Sequence, residues 1–185
     1  MALSRERTRL LDRLNNPRFR AREGQFLVEG TRAAEEFLGG GAQKGIRFAV
    51  VSPRLGESAG GDRVKDQLGA SEITVEEVSD RELADASATE HPQGVILVVQ
   101  EEELALPSAE DPGPERAVLL DGIQDPGNAG TLVRAGRAFG VTRAIALEGT
   151  VDLFNPKVVR ASAGALAHLP VHRLSWARTA EWLKE

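Results

Sequence analysis

Residues 119–140 read LLDGIQDPGNAGTLVRAGRAFG. An apolar strand end, a Pro-Gly turn and an Arg-bearing helix follow one another in very little chain. DPGN is good turn sequence, because proline presets φ and glycine accepts a positive one. The helix is expected from about Thr131 to Phe139. Working outward, AVLLDG reads as the strand before the turn and RAIALEG as the strand after the helix. A helix through PKVVRASAGALAHL, a strand PVHRLS and a Ser175-started helix WARTAEWLKE follow. Three strands alternating with crossover helices predict a parallel half-sheet of the α/β class, one strand short of where the alternation would continue.

Upstream the same alternation recurs. Ser4 can cap a helix through RERTRLLDRL, which the NNP of residues 15–17 would end. QFLVEG, IRFAVVS, ITVEEV and GVILVV read as strands, the last fully buried. TRAAEEFLGGG, capped by Thr31, GDRVKDQLG and the Ser-capped SDRELADAS read as helices. Residues 100–116, QEEELALPSAEDPGPER, are acidic and hold three prolines, which is linker composition. The expected organisation is a small N-terminal α/β domain over 1–99, the linker over 100–116, and a second α/β unit over 117–185.

The net charge of −5 conceals a strong asymmetry. Residues 1–24 carry seven arginines against three acids, whereas residues 71–115 hold thirteen acids and a single arginine, Arg81. A basic arm therefore precedes an acidic middle, and the overall charge is a poor guide to partners. Arginine outnumbers lysine 19 to 4, a ratio that a GC-rich genome produces as readily as phosphate recognition does. There is no cysteine, which removes disulfides, thiolate metal sites and cysteine nucleophiles together. His168 and His172 are separated by Pro170 and read as ordinary surface or strand residues, so no metal is expected. MALSRERTRL lacks the apolar core of a secretory signal, and Val95–Val99 is far too short to span a bilayer. A cytoplasmic protein without a membrane partner is expected.

In open α/β sheets, ligands bind beyond the carboxyl ends of the strands. GIQDPGNAGT and GTVDLFNPK would lie there side by side. Asn128 and Thr131 are expected at a helix start, where free N–H groups favour anions, with Arg134 projecting from the first turns. Lys157 and Arg160 would face the same rim, with Ser162 and Gly164 shortly after. Each residue also has a plainer reading. Asn128 or Thr131 can be a helix cap, Arg134 one of nineteen solvated arginines, and Asp121 and Asp125 loop carboxylates. Neither G-x-G-x-x-G nor a Walker lysine is present.

The two stretches DGIQDPGNAGTLVRAGRAFG and FNPKVVRASAGALAHLPV together resemble the first two motifs of the SpoU (TrmH-type) RNA ribose 2′-O-methyltransferases of the SPOUT superfamily. EGQFLVEGTRAAEEFL resembles the start of the substrate-binding domain that precedes the catalytic domain in many members. The resemblance implies transfer of a methyl group from S-adenosylmethionine to a ribose 2′-hydroxyl in structured RNA, with ribosomal RNA favoured over transfer RNA, by a homodimer. It places Asn128 and Arg134 on the family's catalytic Asn and Arg. Gly130 and Thr131 fall on its Gly-Thr turn, where they would bind substrate together with Lys157 and Arg160. Asn155, Ser162 and Gly164 would shape the site. The family's third motif, whose strands thread a trefoil knot and form most of the cofactor pocket, has no counterpart up to Glu185. By resemblance this is an incomplete SPOUT-type domain with its cofactor-binding residues unassigned. These 185 residues alone are expected to bind S-adenosylmethionine poorly and not to turn over.

The implied chemistry is intelligible. A ribose hydroxyl is a poor nucleophile at neutral pH, while a sulfonium already supplies a good leaving group. The protein must stabilise the hydroxyl as it loses its proton and align oxygen, methyl and sulfur. A guanidinium with a pKa above about 12 is an awkward general base. Arg134 is better suited to holding a neighbouring phosphate and stabilising developing alkoxide charge. The rival class is a non-catalytic RNA-binding module that grips phosphates through the basic arm. A chain with no tyrosine and few other aromatics is poorly equipped for base stacking.

Overall fold

The structure is a computed structural model that describes residues 3–40, 43, 45–102, 105–106 and 116–184. Most of the expected linker, residues 103–104 and 107–115, lies outside the described residues. Two sheets form. The first contains β1 (Gln25–Glu29), β2 (Ile46–Val51), β3 (Val75–Glu77) and β4 (Val95–Gln100) in the order β1-β4-β2-β3. β4 runs antiparallel to both of its neighbours, whereas β2 and β3 are parallel. The second sheet contains β5 (Ala117–Leu120), β6 (Arg143–Ala146) and β7 (Val171–Arg173), all parallel, in sequence order. The parallel half-sheet read from the sequence is present.

The continuous apolar run of β4 is explained by its central place. Val95, Leu97 and Val99 enter one core with α3 (Thr31–Gly39) and α4 (Ala59–Gly69). Ile96 and Val98 enter another with Leu11 and Leu14 of α1 (Arg5–Leu14) and Leu83 of α5 (Asp80–Ala86). Alternate side chains thus bury on opposite faces. The first core does not stop at this sheet. It runs on through Leu120, Val133, Ala144, Phe154 and Val158, and the rings of Phe26 and Phe154 lie 4.4 Å apart between centroids.

Three helices begin on one device, an Asx residue followed by proline. Asn16 Oδ1 accepts from Arg18 N at the start of α2 (Pro17–Glu23), a helix the sequence reading had treated only as a basic stretch. Asp125 Oδ1 accepts from Asn128 N, at 2.7 Å, at the start of α6 (Pro126–Ala138). Asn155 Oδ1 accepts from Lys157 N at the start of α7 (Pro156–Ala161). The cap satisfies a free donor, and proline at the first helical position loses nothing by lacking an N–H. So α6 starts at Pro126 and not near Thr131, because DPGN is a cap and first turn.

Other details also differ from expectation. The N-cap of α3 is Gly30, with φ +93°, and Thr31 is already helical. The helix expected through residues 156–169 breaks after Ala161, where Ala163 (φ +48°) and Gly164 (φ +90°) turn the chain into a 3-10 segment, Ala165–His168. His172 is a buried strand residue rather than a surface one, its Nε2 2.9 Å from Nη1 of the equally buried Arg143. A short helix α8 (Trp176–Trp182), capped by Ser175, ends the described chain. No helix among the described residues is long and apolar enough to cross a membrane.

Candidate active-site rim

The loops after β5 and β6 lie side by side at the carboxyl edge of the parallel sheet and are laced together. Leu147 N donates to Leu120 O (2.9 Å), Val151 N to Ile123 O (2.8 Å) and Thr150 Oγ1 to Leu120 O (2.6 Å). The loop after β7 joins through Leu174 N to Ala146 O. Their helices are equally close. A Cβ on Gly130 would stand 2.5 Å from Ala161 Cβ and 2.6 Å from Val158 O, so glycine is what lets α6 and α7 touch. Gly130 is buried inside α6 in this packing contact, which gives it no ligand-facing surface and no place in a turn.

Asn128, Thr131 and Arg134 step by three along the exposed side of α6, about 9 Å from first to last along the axis. The Asn128 main-chain N–H is spent on Asp125, and Pro126 has none, so the open anion-binding helix start expected here is closed by a carboxylate. The Arg134 guanidinium is different. It is exposed and carries no hydrogen bond or ion pair among the described residues. Leu132 (41% exposed) and Phe139 (82%) flank it as apolar surface on the same helix.

On α7, Asn155 is the cap, Lys157 is exposed in the first turn, and Arg160 is exposed three residues later. Arg160 turns toward the first sheet, where it lines a hollow with Arg32 and His91 and not with Arg134. Ser162 is fully buried and donates from Oγ to Val159 O (2.7 Å), closing the helix. Gly164 packs on α3, where a Cβ would meet Glu36 Cβ at 2.6 Å. Asn155, Ser162 and Gly164 are therefore seen shaping the chain around the rim.

Sequence reading missed the charged hub of this edge. Asp152, in the β6–α7 loop, accepts from Arg20 Nε at 2.9 Å, from Arg173 Nη2 at 3.1 Å and from the Phe154 N–H at 3.0 Å. Arg20 is 3% exposed and also donates to Leu14 O and Asn15 O, while Arg173 reaches on to Glu101. Burial works to raise the Asp152 pKa, but these donors outweigh it and hold the carboxyl below the usual aspartate range. Burial likewise works to lower that of Arg173, and Glu101 and Asp152 outweigh it, so the guanidinium is raised. Nothing in GTVDLFN marks Asp152 apart from a solvated loop acid.

A hollow of about 350 Å³ at the ends of β6 and β7 is lined by Leu147, Glu148, Thr150, Asp152, Arg173 and Ser175, among others, and by none of the expected site residues. Asp152, Arg173 and Thr150 are already engaged as above. Another hollow, of about 440 Å³, lies between Phe26, Phe37, Val99 and Leu166 and takes in Arg137 rather than Arg134. Among the described residues, no group of three or more His, Cys, Asp or Glu side chains stands where it would hold a metal ion.

Comparison with known proteins agrees with this geometry. Residues 115–185 match the SpoU rRNA methylase family, and residues 5–97 match the MRM3-like substrate binding domain. The chain is 30% identical over 162 residues to the 23S rRNA (guanosine(2553)-2′-O)-methyltransferase RlmP of Bacillus subtilis, covering 87% of this chain and 59% of RlmP. It superposes on an RNA methyltransferase of the TrmH family from Porphyromonas gingivalis with a TM-score of 0.79 at 28% identity, over 100% of this chain and 68% of that one. It superposes equally well, at 26% identity, on the SpoU methyltransferase AviRb of Streptomyces viridochromogenes in complex with AdoMet, covering 96% of this chain and 66% of that one. The chain belongs to the SpoU-type RNA methyltransferase family of the SPOUT superfamily. It spans about three-fifths of the length of the curated relatives it matches.

Proposed function

We propose that this chain supplies the RNA-binding unit (residues 1–99) and the RNA-facing part of the catalytic unit (residues 117–185) of an S-adenosylmethionine-dependent ribose 2′-O-methyltransferase. Ribosomal RNA is the favoured substrate, in keeping with the naming of RlmP. The observation that carries the reading is Arg134. It is an unpaired guanidinium on exposed helix surface at the carboxyl edge of a parallel sheet, beside Asn128 and Thr131, within the stretch that matches the SpoU family.

Arg134 is suited to hold the phosphate next to the target ribose and to stabilise alkoxide charge as the 2′-hydroxyl is deprotonated. The Asn128 side chain amide, one turn earlier, can accept or donate to the same nucleotide. Lys157 adds positive charge on the neighbouring helix. Of the seven arginines in the arm, Arg20 is committed to Asp152, Arg7 to Glu76 and Arg22 to Glu23. Arg5, Arg9, Arg13 and Arg18 remain exposed for phosphate. The exposed strip around Leu132 and Phe139 supports association into a homodimer.

S-adenosylmethionine supplies the methyl group. The residues described here do not fit it: the strand-end hollow has its charged groups tied into the Asp152 network and takes in neither Asn128 nor Arg134. We therefore assign no step through the cofactor to these residues. On this reading the 185-residue chain alone binds S-adenosylmethionine weakly and does not methylate RNA. Equilibrium dialysis with labelled cofactor and a methyl-transfer assay on ribosomal RNA test this directly. Turnover by the chain alone would overturn the division of labour.

A further inference from the structure

A hollow of about 160 Å³ opens where the amino end of α3 meets the carboxyl end of α7. Arg32, His91, Gln93 and Arg160 reach it from three separate stretches of chain, two in the first sheet's unit and one in the second's. Ligand pockets for whole small molecules run to about 300 Å³ or more, while a water's share of the liquid is about 30 Å³. The hollow thus suits one compact polar group rather than a nucleotide.

Its charge selects the sign of that group. Arg32 and Arg160 are exposed and make no hydrogen bond or ion pair among the described residues. Glu35 lies within electrostatic reach of Arg32, but its carboxylate is gripped by Arg63 at 2.6 and 3.0 Å. Glu29 is the acid that lines the hollow. It is buried and turned into the following loop, accepting from Ser87 Oγ and from Ala88 N at 2.9 Å. Gln93 Oε1 is fixed by the Thr31 N–H at 3.0 Å and faces its hydroxyl, which leaves the Gln93 amide hydrogens as donors. Gly30, the N-cap, offers no side-chain acceptor, so the Arg32 and Ala33 N–H groups at the start of α3 are uncapped.

We propose that this hollow binds a phosphate group, gripped jointly by Arg32 and Arg160 with Gln93 and the α3 amides behind them. The inference rests on the reading of the chain as an RNA binder, and it identifies a contact that RNA would make at once with both units. Two guanidiniums in reach of one compact site favour the forked oxygens of phosphate over a halide or a carboxylate.

The test is RNA binding by the 185-residue chain across a salt series, comparing wild type with Arg32→Ala, Arg160→Ala and the double variant. Arg47→Ala serves as a control on exposed surface elsewhere. Each single variant is expected to weaken binding about tenfold and to flatten the log–log salt slope by about 0.9, the loss of one phosphate. The double variant is expected to flatten it no further, because both arginines serve the same phosphate. Slopes that add, or no change in either variant, would overturn the shared site. Wild type failing to bind RNA at all would instead overturn the underlying reading. Amide shifts separate the sources. Movement of the Arg32 and Ala33 resonances with inorganic phosphate, against chloride at equal ionic strength, supports a site open to free phosphate. Movement with RNA alone supports an ester phosphate of the backbone, and movement with neither overturns the site.

Discussion

Arg20 and Asp152 stand 132 residues apart in sequence and meet through Nε and Nη2 of the arginine on a single carboxylate oxygen, at 2.9 and 2.8 Å. This pair ties α2, in the basic arm, to the β6–α7 loop on the catalytic edge. It converts one arginine of the arm from a phosphate ligand into a brace. Loop position and arm position are thereby fixed against each other before any RNA arrives.

Asp152→Asn is expected to destabilise the fold by roughly 3 kcal/mol at neutral pH, since it leaves a buried guanidinium short of its counter-charge. The folded carboxyl lies below its ordinary pKa, so its stabilisation is present above the unfolded aspartate value of about 4 and fades as pH falls beneath it. Denaturant midpoints measured from pH 7 down to pH 3 should converge for wild type and variant. Parallel curves would mean that the pair contributes nothing through charge.

Gly130→Ala sets two effects against each other. Alanine gains about 1 kcal/mol of helix propensity, but the new Cβ meets Val158 O, which is main chain, and the buried Ala161 Cβ. Overpacking of this kind costs about 1–3 kcal/mol, so net destabilisation is expected. A melting temperature equal to or above wild type would show that α6 and α7 can part without cost.

Arg5, Arg9, Arg13 and Arg18 are the uncommitted cations of the arm. Replacing Arg9 and Arg13 with alanine should flatten the salt dependence of RNA binding by about 2 in log–log slope with the melting temperature unchanged. Arg20→Ala should do the reverse, lowering stability with little change in slope. Filter binding beside thermal melts distinguishes the two.

Leu132→Ser with Phe139→Ser removes the exposed apolar strip of α6 without touching the core. Sedimentation equilibrium should show weaker self-association than wild type if this strip joins two copies. Identical behaviour would exclude it from the interface.

Much of this architecture was legible from residue order. The period-2 strands and the Ser-capped helices at Ser4, Ser79 and Ser175 are local signals, and local hydrogen bonds decide them. The Asx-Pro starts were misread because Asp-Pro-Gly-Asn satisfies turn and helix-cap chemistry alike. Packing of α6 against α7 settles the matter, and that contact is not local. The same applies to Gly130 and Ser162, assigned to the site by motif and found packing the helix pair. Asp152, Arg20 and the Arg32–Arg160 hollow were illegible, since each is made by residues distant in sequence whose types are common on any surface. Arg134 is the counter-example, a residue singled out by its motif and found exposed and unengaged.

The most direct test of the central claim joins residues 1–185 in register to the remaining part of RlmP and assays transfer of labelled methyl from S-adenosylmethionine to ribosomal RNA, with nucleoside analysis of the product. The expected result is a 2′-O-methylated ribose, with transfer lowered at least a hundredfold by Arg134→Ala while RNA binding and melting temperature hold. A chimera that folds, binds RNA and methylates it equally well without Arg134 would contradict the assignment of the catalytic rim.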